Sequence, residues 1–163
     1  MTEPPFDLTK AHRWFGVECN NAAWEVLEQP SLGVDEAAEA VELAHASQHH
    51  WTQVGTELNR LRSEYLLATA YAAAGLGEAS VRHAERALSL RSRLETLDLG
   101  LTDFDRASSV ACAVRALVAA DRPSDARERL DEAEALLEAL EPDDRSVVEQ
   151  TFLAPIRGSL GDR

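Results

Sequence analysis

The sequence predicts an all-α protein made of a single domain. Alanine occurs 27 times and leucine 22 times in 163 residues, against 11 valines and one isoleucine. Alanine and leucine favour helices, whereas β-branched residues favour strands. Between short segments rich in glycine, proline and aspartate, apolar residues recur about every 3.6 positions, the period of a helix with one buried face. Since 163 residues suffice for one hydrophobic core, we expect one domain over 1–163.

Turn-forming residues divide the chain into about seven helices. Thr56, Asp103 and Ser124 can each begin a helix, because their side-chain oxygens accept hydrogen bonds from the free N–H groups of a first turn. Gly75 or Gly77 can end one, because glycine adopts the left-handed conformation. The predicted helices span residues 9–29, 35–51, 56–74, 78–97, 103–120, 124–140 and 144–156.

The segment around the third turn carries a recognisable repeat pattern. Tyr71 is followed by Gly75, and then by the small residues Ser80 and Ala87. In this spacing the chain resembles the tetratricopeptide repeat (TPR). In that family's 34-residue unit an aromatic residue lies near the end of the first helix, a glycine forms the turn, and two small residues seven apart lie in the second helix.

The same frame fits two further places, where Ala37 precedes Ala44 and Ala126 precedes Ala133 by seven residues. The first small residues of the three matches, at 37, 80 and 126, are 43 and 46 positions apart, so the helices must be longer than those of the family. We expect these residues to lie where successive helices approach each other closely.

The resemblance covers residues 11–140 and implies a right-handed array of antiparallel helix hairpins, a TPR-like α-solenoid. Glu64 stands where the family has tryptophan, and a generic array of helical hairpins is the alternative. Residues 14–24, 45–51 and 54–59 also look like blocks in bacterial TPR-like proteins, a likeness that implies no activity.

The two ends of the chain are expected to differ from the repeats. Residues 1–8 form an N-terminal arm, which lacks a basic segment followed by an apolar run. Residues 143–163 form a capping helix and tail, in which Val147, Val148 and Phe152 share one apolar side. Stacked repeats leave an apolar end face, and an atypical last helix covers it.

Charge and cysteine content restrict the partners and the location. There are 29 acidic against 16 basic residues, a net charge of −13, which repels nucleic acids and anionic membranes. Cys19 and Cys112 lack the spacing of a zinc site or of a disulfide framework. No apolar stretch of 18 residues occurs. We therefore expect a cytoplasmic protein whose partner is a peptide, another protein or a small polar ligand.

The first helix contributes three residues to the predicted contact set. At 100° per residue, Trp14, Glu18 and Asn21 share one narrow arc. An aromatic ring beside carboxylates and an amide suits a peptide, an amine or another cation. The alternative is a solvated helix face with the tryptophan tucked under residues 1–8.

Trp51, Asn59, Arg62 and Glu64 complete the contact set. The repeat register places Trp51 and Arg62 on the groove, where a guanidinium beside aromatic surface can hold a carboxylate or a peptide terminus. Glu64 is expected to be partly buried, with His83 within reach. A buried carboxylate must be either paired or protonated. A structural ion pair and a functional carboxylate both remain open.

Three of the five histidines fall within six residues. His45 and His49 are four positions apart, which lets two imidazoles on a helix meet one metal ion, and His50 follows directly. No HExxH motif accompanies them, and no third ligand stands at a fixed offset. A packed, hydrogen-bonded histidine is the commoner case, so we predict neither a metal nor another cofactor.

The sequence thus favours a non-enzymatic interaction module that binds a peptide, a partner protein or a small polar ligand in a concave groove. One alternative is an enzyme or metal-binding protein with a closed pocket on which His45, His50, Glu18 and Glu64 converge. Another is a self-assembling structural protein, whose exposed array ends pair into a homodimer.

Overall fold

A computed structural model of the protein describes residues 4–160. This part of the chain is helical and contains no strand, as predicted. A π-helical turn, a 3-10 turn and the four-residue helix α8 follow the seventh helix without a break. The α-helices are α1 Leu8–Leu27, α2 Val34–Val54, α3 Glu57–Ala73, α4 Gly77–Leu97, α5 Asp103–Ala119, α6 Pro123–Glu138, α7 Pro142–Val148 and α8 Arg157–Leu160.

The first six helices form an array of three hairpins. Within the hairpins, α1 packs on α2, α3 on α4, and α5 on α6. Neighbouring hairpins meet through α2 and α3 and through α4 and α5. The first helices also contact one another in the order α1, α3, α5, and we call this layer the inner row. The predicted all-α array of helix hairpins is confirmed.

Small residues lie at equivalent places in the three hairpins. Ala37, Ser80 and Ala126 are each the fourth residue of the second helix of a hairpin, and their exposed fractions are 4%, 0% and 0%. The Ser80 hydroxyl donates a hydrogen bond of 2.6 Å to the backbone carbonyl of Ala68 in α3. A larger side chain at such a position would separate the helices. The expected close approach at these positions is confirmed by their burial.

The second and third hairpins turn in the same way. Gly75 and Asp121, which follow α3 and α5, adopt left-handed φ values of 70° and 57°. In both turns the next N–H bonds to the carbonyl five positions earlier, as in a Schellman motif. Gly77 then begins α4 against the end of α5, where a Cβ atom would overlap the backbone of Ala119. Glycine is therefore needed at position 77 for close packing.

The C-terminal segment differs from the single capping helix predicted over 144–156. The α-helical part ends at Val148 and continues as a π-helical turn. Pro155 has no N–H to donate to the carbonyl of Thr151, four residues earlier, so regular α-helix cannot continue. Arg115 of α5 donates a hydrogen bond of 2.6 Å from its Nη1 to this carbonyl oxygen. Proline and the arginine together explain the irregular geometry.

This segment covers more than the end of the array. Helices α7 and α8 contact α6, as expected of a cap. The π-helical turn packs on α5, and its Phe152 ring reaches Trp24 of α1 and Tyr65 of α3, at centroid distances of 6.0 and 6.2 Å. Phe152 is buried and thus fills part of the inner row.

Candidate functional site

The exposed side of α1 carries two adjacent aromatic rings. Trp14 and Phe15 are 58% and 44% exposed, and their centroids are 4.8 Å apart in an edge-to-face arrangement. Gly16 faces the opposite way, because a Cβ atom there would lie 2.8 Å from the ring of Trp51 in α2. The helix therefore turns its tightly packed side towards α2 and its aromatic side towards solvent.

Three further apolar side chains extend this surface. Phe6, Leu8 and Val17 are 60%, 50% and 39% exposed. Together with Trp14 and Phe15 they form what we call the aromatic face. These are five of the ten exposed large apolar side chains in residues 4–160. All five fall within residues 6–17, and exposed apolar side chains concentrated in one segment are typical of interaction surfaces.

Acidic residues continue the exposed side of α1 towards its C-terminus. Glu18, Asn21, Glu25 and Glu28 are all exposed and follow Trp14 at helical spacing. We call these four residues the acidic strip. Trp14, Glu18 and Asn21 of the predicted contact set therefore lie together on the exposed side of α1.

The next two predicted contact residues have structural contacts elsewhere. Trp51 packs on Gly16 and joins α2 to α1. Asn59 caps α3, because its Oδ1 accepts a hydrogen bond of 2.9 Å from the backbone N–H of Thr56, and its own N–H donates to the Thr56 hydroxyl. Such a capping box stabilises a helix start, which accounts for an asparagine at this position.

Arg62 joins the second hairpin to the third. Its Nε and Nη2 donate to Oδ1 and Oδ2 of Asp105 at 2.9 and 3.0 Å. The Asp105 side chain has no exposed surface and also accepts a hydrogen bond of 2.7 Å from Thr102. The hydrogen bonds to Asp105 raise the pKa of the Arg62 guanidinium. Arg62 therefore joins α3 to α5, while 44% of its side chain remains exposed.

Glu64 lies in a buried polar network, as a structural ion pair would. Its Oε2 accepts from Nδ1 of His83 in α4 at 2.7 Å, and its Oε1 accepts from Nε2 of Gln48 in α2 at 2.8 Å. The residue is 9% exposed. The expected contact between Glu64 and His83 is confirmed, and both carboxylate oxygens have partners.

Two more rings complete this network. Tyr71 stacks on His83 with centroids 5.2 Å apart and planes inclined by 10°. Its hydroxyl lies 2.7 Å from Nε2 of His45. Burial lowers the pKa of His45, as does the proximity of His83, while Glu64 opposes this shift. The network ties α2, α3 and α4 together.

The remaining histidines form a separate cluster between α1 and α2. His12 Nδ1 and His50 Nδ1 lie 2.8 Å apart, so one ring donates to the other. His49 lies 6.2 Å from His12 and 5.4 Å from His50 between centroids. Burial lowers the pKa of His50, and Phe15 stacks on its ring at 5.2 Å. In the described chain, no three His, Cys, Asp or Glu residues are arranged to hold a metal ion.

The four side chains proposed to converge on a closed pocket are divided between different places. His45 and Glu64 belong to the network around His83. His50 belongs to the cluster with His12, and Glu18 is exposed on α1. The sequence pattern suggested convergence because residues 45 and 50 lie on one helix, but five residues of helix turn them towards different neighbours.

Sequence reasoning missed Phe15 and Arg115. Phe15 is not part of the predicted contact set, although its ring is 44% exposed beside that of Trp14. Arg115 lies on the alanine- and valine-rich helix α5, and it lines a cavity of about 510 Å³ next to the C-terminal segment. The sequence signal that could have indicated this site is a single arginine, Arg115, within an otherwise apolar helix, together with Pro155 further along the chain.

Neither a membrane span nor a similarity to known proteins assigns this chain to a class. Among residues 4–160, none of the helices combines the length and the apolar character that a membrane span requires. No protein-family model matches the chain, and neither a curated protein nor a solved structure resembles it at a significant level.

Proposed function

We propose that the protein is a non-enzymatic, TPR-like interaction module, and that α1 binds a basic amphipathic segment of a partner protein. The observation that supports this most directly is the aromatic face, which adjoins the acidic strip on one helix. Apolar side chains of the partner pack on the aromatic face, and its lysine or arginine residues lie over the acidic strip.

The chemistry of this surface favours cations. The face of a tryptophan ring attracts a guanidinium or ammonium group, and Trp14 is 58% exposed. Glu18, Glu25 and Glu28 add negative charge along the same helix. The net charge of −13 accelerates the approach of a basic partner over longer distances. Apolar contact and charge thus select the same class of ligand.

The inner row offers less room for a partner. Phe152 packs on Trp24 and Tyr65 where a groove ligand would lie. Arg62, which was predicted to line the groove, donates both of its hydrogen bonds to Asp105. A second copy of the chain is also disfavoured as the occupant of the aromatic face, because each copy carries a charge of −13.

The test uses a synthetic 20-residue amphipathic helix of lysine and leucine, labelled for fluorescence anisotropy. We expect Trp14→Ala to weaken its binding at least tenfold, about 1.4 kcal/mol. The circular dichroism spectrum should not change, because the side chain is exposed. A peptide with glutamate in place of lysine should not bind.

Diffuse charge attraction is controlled by matched pairs of variants. Glu18→Gln with Glu25→Gln removes two charges from α1, whereas Glu78→Gln with Glu138→Gln removes two exposed charges from α4 and α6. We expect only the first pair to weaken binding strongly. Equal effects of both pairs, or an unchanged affinity of Trp14→Ala, would refute the proposal. So would a wild-type dimer that Trp14→Ala dissociates in sedimentation, since the face would then be a homodimer interface.

A further inference from the structure

A cavity of about 510 Å³ lies between the end of α1, helix α5 and the C-terminal segment. Small-molecule sites typically have volumes of about 300–1,000 Å³. Leu27, Leu32, Val147 and Pro155 form apolar walls, and Arg115 is the cationic group that lines it. Glu28, Gln150 and Thr151 complete the lining, so the cavity carries one basic and one acidic side chain beside its apolar part.

Among residues 4–160, no carboxylate forms an ion pair with Arg115, although Glu28 lines the same cavity. The one hydrogen bond of Arg115 within the described chain runs from Nη1 to the Thr151 carbonyl. Arg62 and Arg91, which also lie between helices, each pair with an acidic residue. Burial lowers the pKa of Arg115, which means that its surroundings disfavour the positive charge. A bound anion would offset this cost.

The guanidinium is also held in a defined orientation. Because Nη1 is fixed on the carbonyl that Pro155 leaves free, the plane of the group cannot rotate freely. Its remaining N–H groups have the fork geometry that receives a carboxylate through two parallel hydrogen bonds. The apolar residues of the lining lower the local polarity beside the guanidinium, which strengthens such a contact.

From this arrangement we infer that the cavity binds a small carboxylate with a short apolar chain. The carboxylate pairs with Arg115, and the alkyl chain packs on Leu27, Leu32 and Val147. Glu28 also lines the cavity and can receive an ammonium group. The ligand is therefore either a simple carboxylic acid or an apolar amino acid, which share the carboxylate. This inference does not depend on binding at the aromatic face.

Isothermal titration calorimetry with three probes tests the inference. The probes are 4-methylpentanoate, leucine and 4-methylpentanamide, which has the same shape as the acid but no charge. We expect the acid or leucine to bind to the wild-type protein, and the amide to bind at least tenfold more weakly. Tighter binding of leucine than of the acid assigns the ammonium group to Glu28, and the reverse order assigns a simple acid as the ligand.

Two variants and a control separate a ligand site from a purely structural arginine. Arg115→Gln should lower the affinity at least tenfold. Arg127→Gln is the matched control, because Arg127 also binds a carbonyl of the C-terminal segment, that of Leu160, at 2.8 Å, and does not line the cavity. The Arg127→Gln variant should bind 4-methylpentanoate with the affinity of the wild-type protein.

Arg115→Gln could lose binding simply because it fails to fold. A second variant, Val147→Trp, therefore fills the cavity while it keeps the arginine. Val147 is 49% exposed, so the larger ring can be accommodated. We expect this variant to keep its helical spectrum and to lose binding. The inference is refuted if no probe binds the folded wild type at up to about 10 mM, or if Arg115→Gln and Val147→Trp both bind as the wild type does.

Discussion

Replacing Gly77 by alanine tests how closely the second and third hairpins pack. Gly77 is the first residue of α4, and an added Cβ would overlap the carbonyl oxygen of Ala119 and lie 2.5 Å from the Cα of Ala120. These are backbone atoms and cannot rotate aside. Helix α4 must therefore move away from the end of α5, which disturbs the packing at the neighbouring buried Ser80.

The size of the effect follows from two opposed contributions. Carbon atoms pack best at about 3.5–4.0 Å, so relieving the overlap needs a shift of about 1 Å. Overpacking of this kind costs about 1–3 kcal/mol. Alanine gains up to about 1 kcal/mol over glycine in a helix interior, and less at a first position. We expect Gly77→Ala to lower the free energy of unfolding by about 1–2 kcal/mol.

Urea unfolding followed by circular dichroism measures this difference, with two other glycines as controls. Gly158→Ala should be neutral or slightly stabilising, because nothing lies within 4 Å of the added atom. Gly75→Ala also has open space, but its φ of 70° costs alanine about 1–2 kcal/mol. A Gly77→Ala protein as stable as Gly158→Ala would show that α4 and α5 do not approach as described.

Three other predictions concern the stability of the fold. Ser108→Ala should raise the free energy of unfolding by up to about 1 kcal/mol, because the buried Ser108 hydroxyl has no partner among residues 4–160, whereas Ser80→Ala should lower it by about 1 kcal/mol. Asp105→Asn should lower it by about 2 kcal/mol, since it removes the buried anion of the ion pair between α3 and α5, whose arginine is half exposed. Because burial lowers the pKa of His45 and His50, the unfolded chain binds more protons near and below their ordinary value of 6.5. The unfolding temperature should therefore fall from about pH 7 to pH 5, and a variant with glutamine at both positions should show a flatter profile.

The helices could be predicted because their signals are local. Thr56 caps α3 and Gly75 ends it, each through groups within five residues along the chain. Burial at Ala37, Ser80 and Ala126 also followed from sequence, since a repeated spacing reports a repeated contact. These features depend on the backbone chemistry of short segments, which the order of residues determines directly.

The contact residues were harder to predict because their partners are remote. Arg62 pairs with a residue 43 positions away, and Phe152 meets Trp24 across the inner row. Helical periodicity assigns a side chain to an arc, but it does not say which element covers that arc. From the sequence, Arg62 is therefore predicted to line a groove and Phe152 to lie on a cap, whereas the structure adds their contacts with Asp105 and Trp24.

The C-terminal segment shapes one of the two proposed sites. It turns at Pro155 and carries Phe152 onto the inner row, where its ring meets Trp24 of α1. The same turn frees the carbonyl that orients Arg115 beside the cavity. We therefore expect the proline to affect the cavity and not the aromatic face. A Pro155→Ala variant would restore a donor for Thr151 and so compete with Arg115, which should weaken carboxylate binding while Trp14 stays exposed and continues to bind the basic peptide.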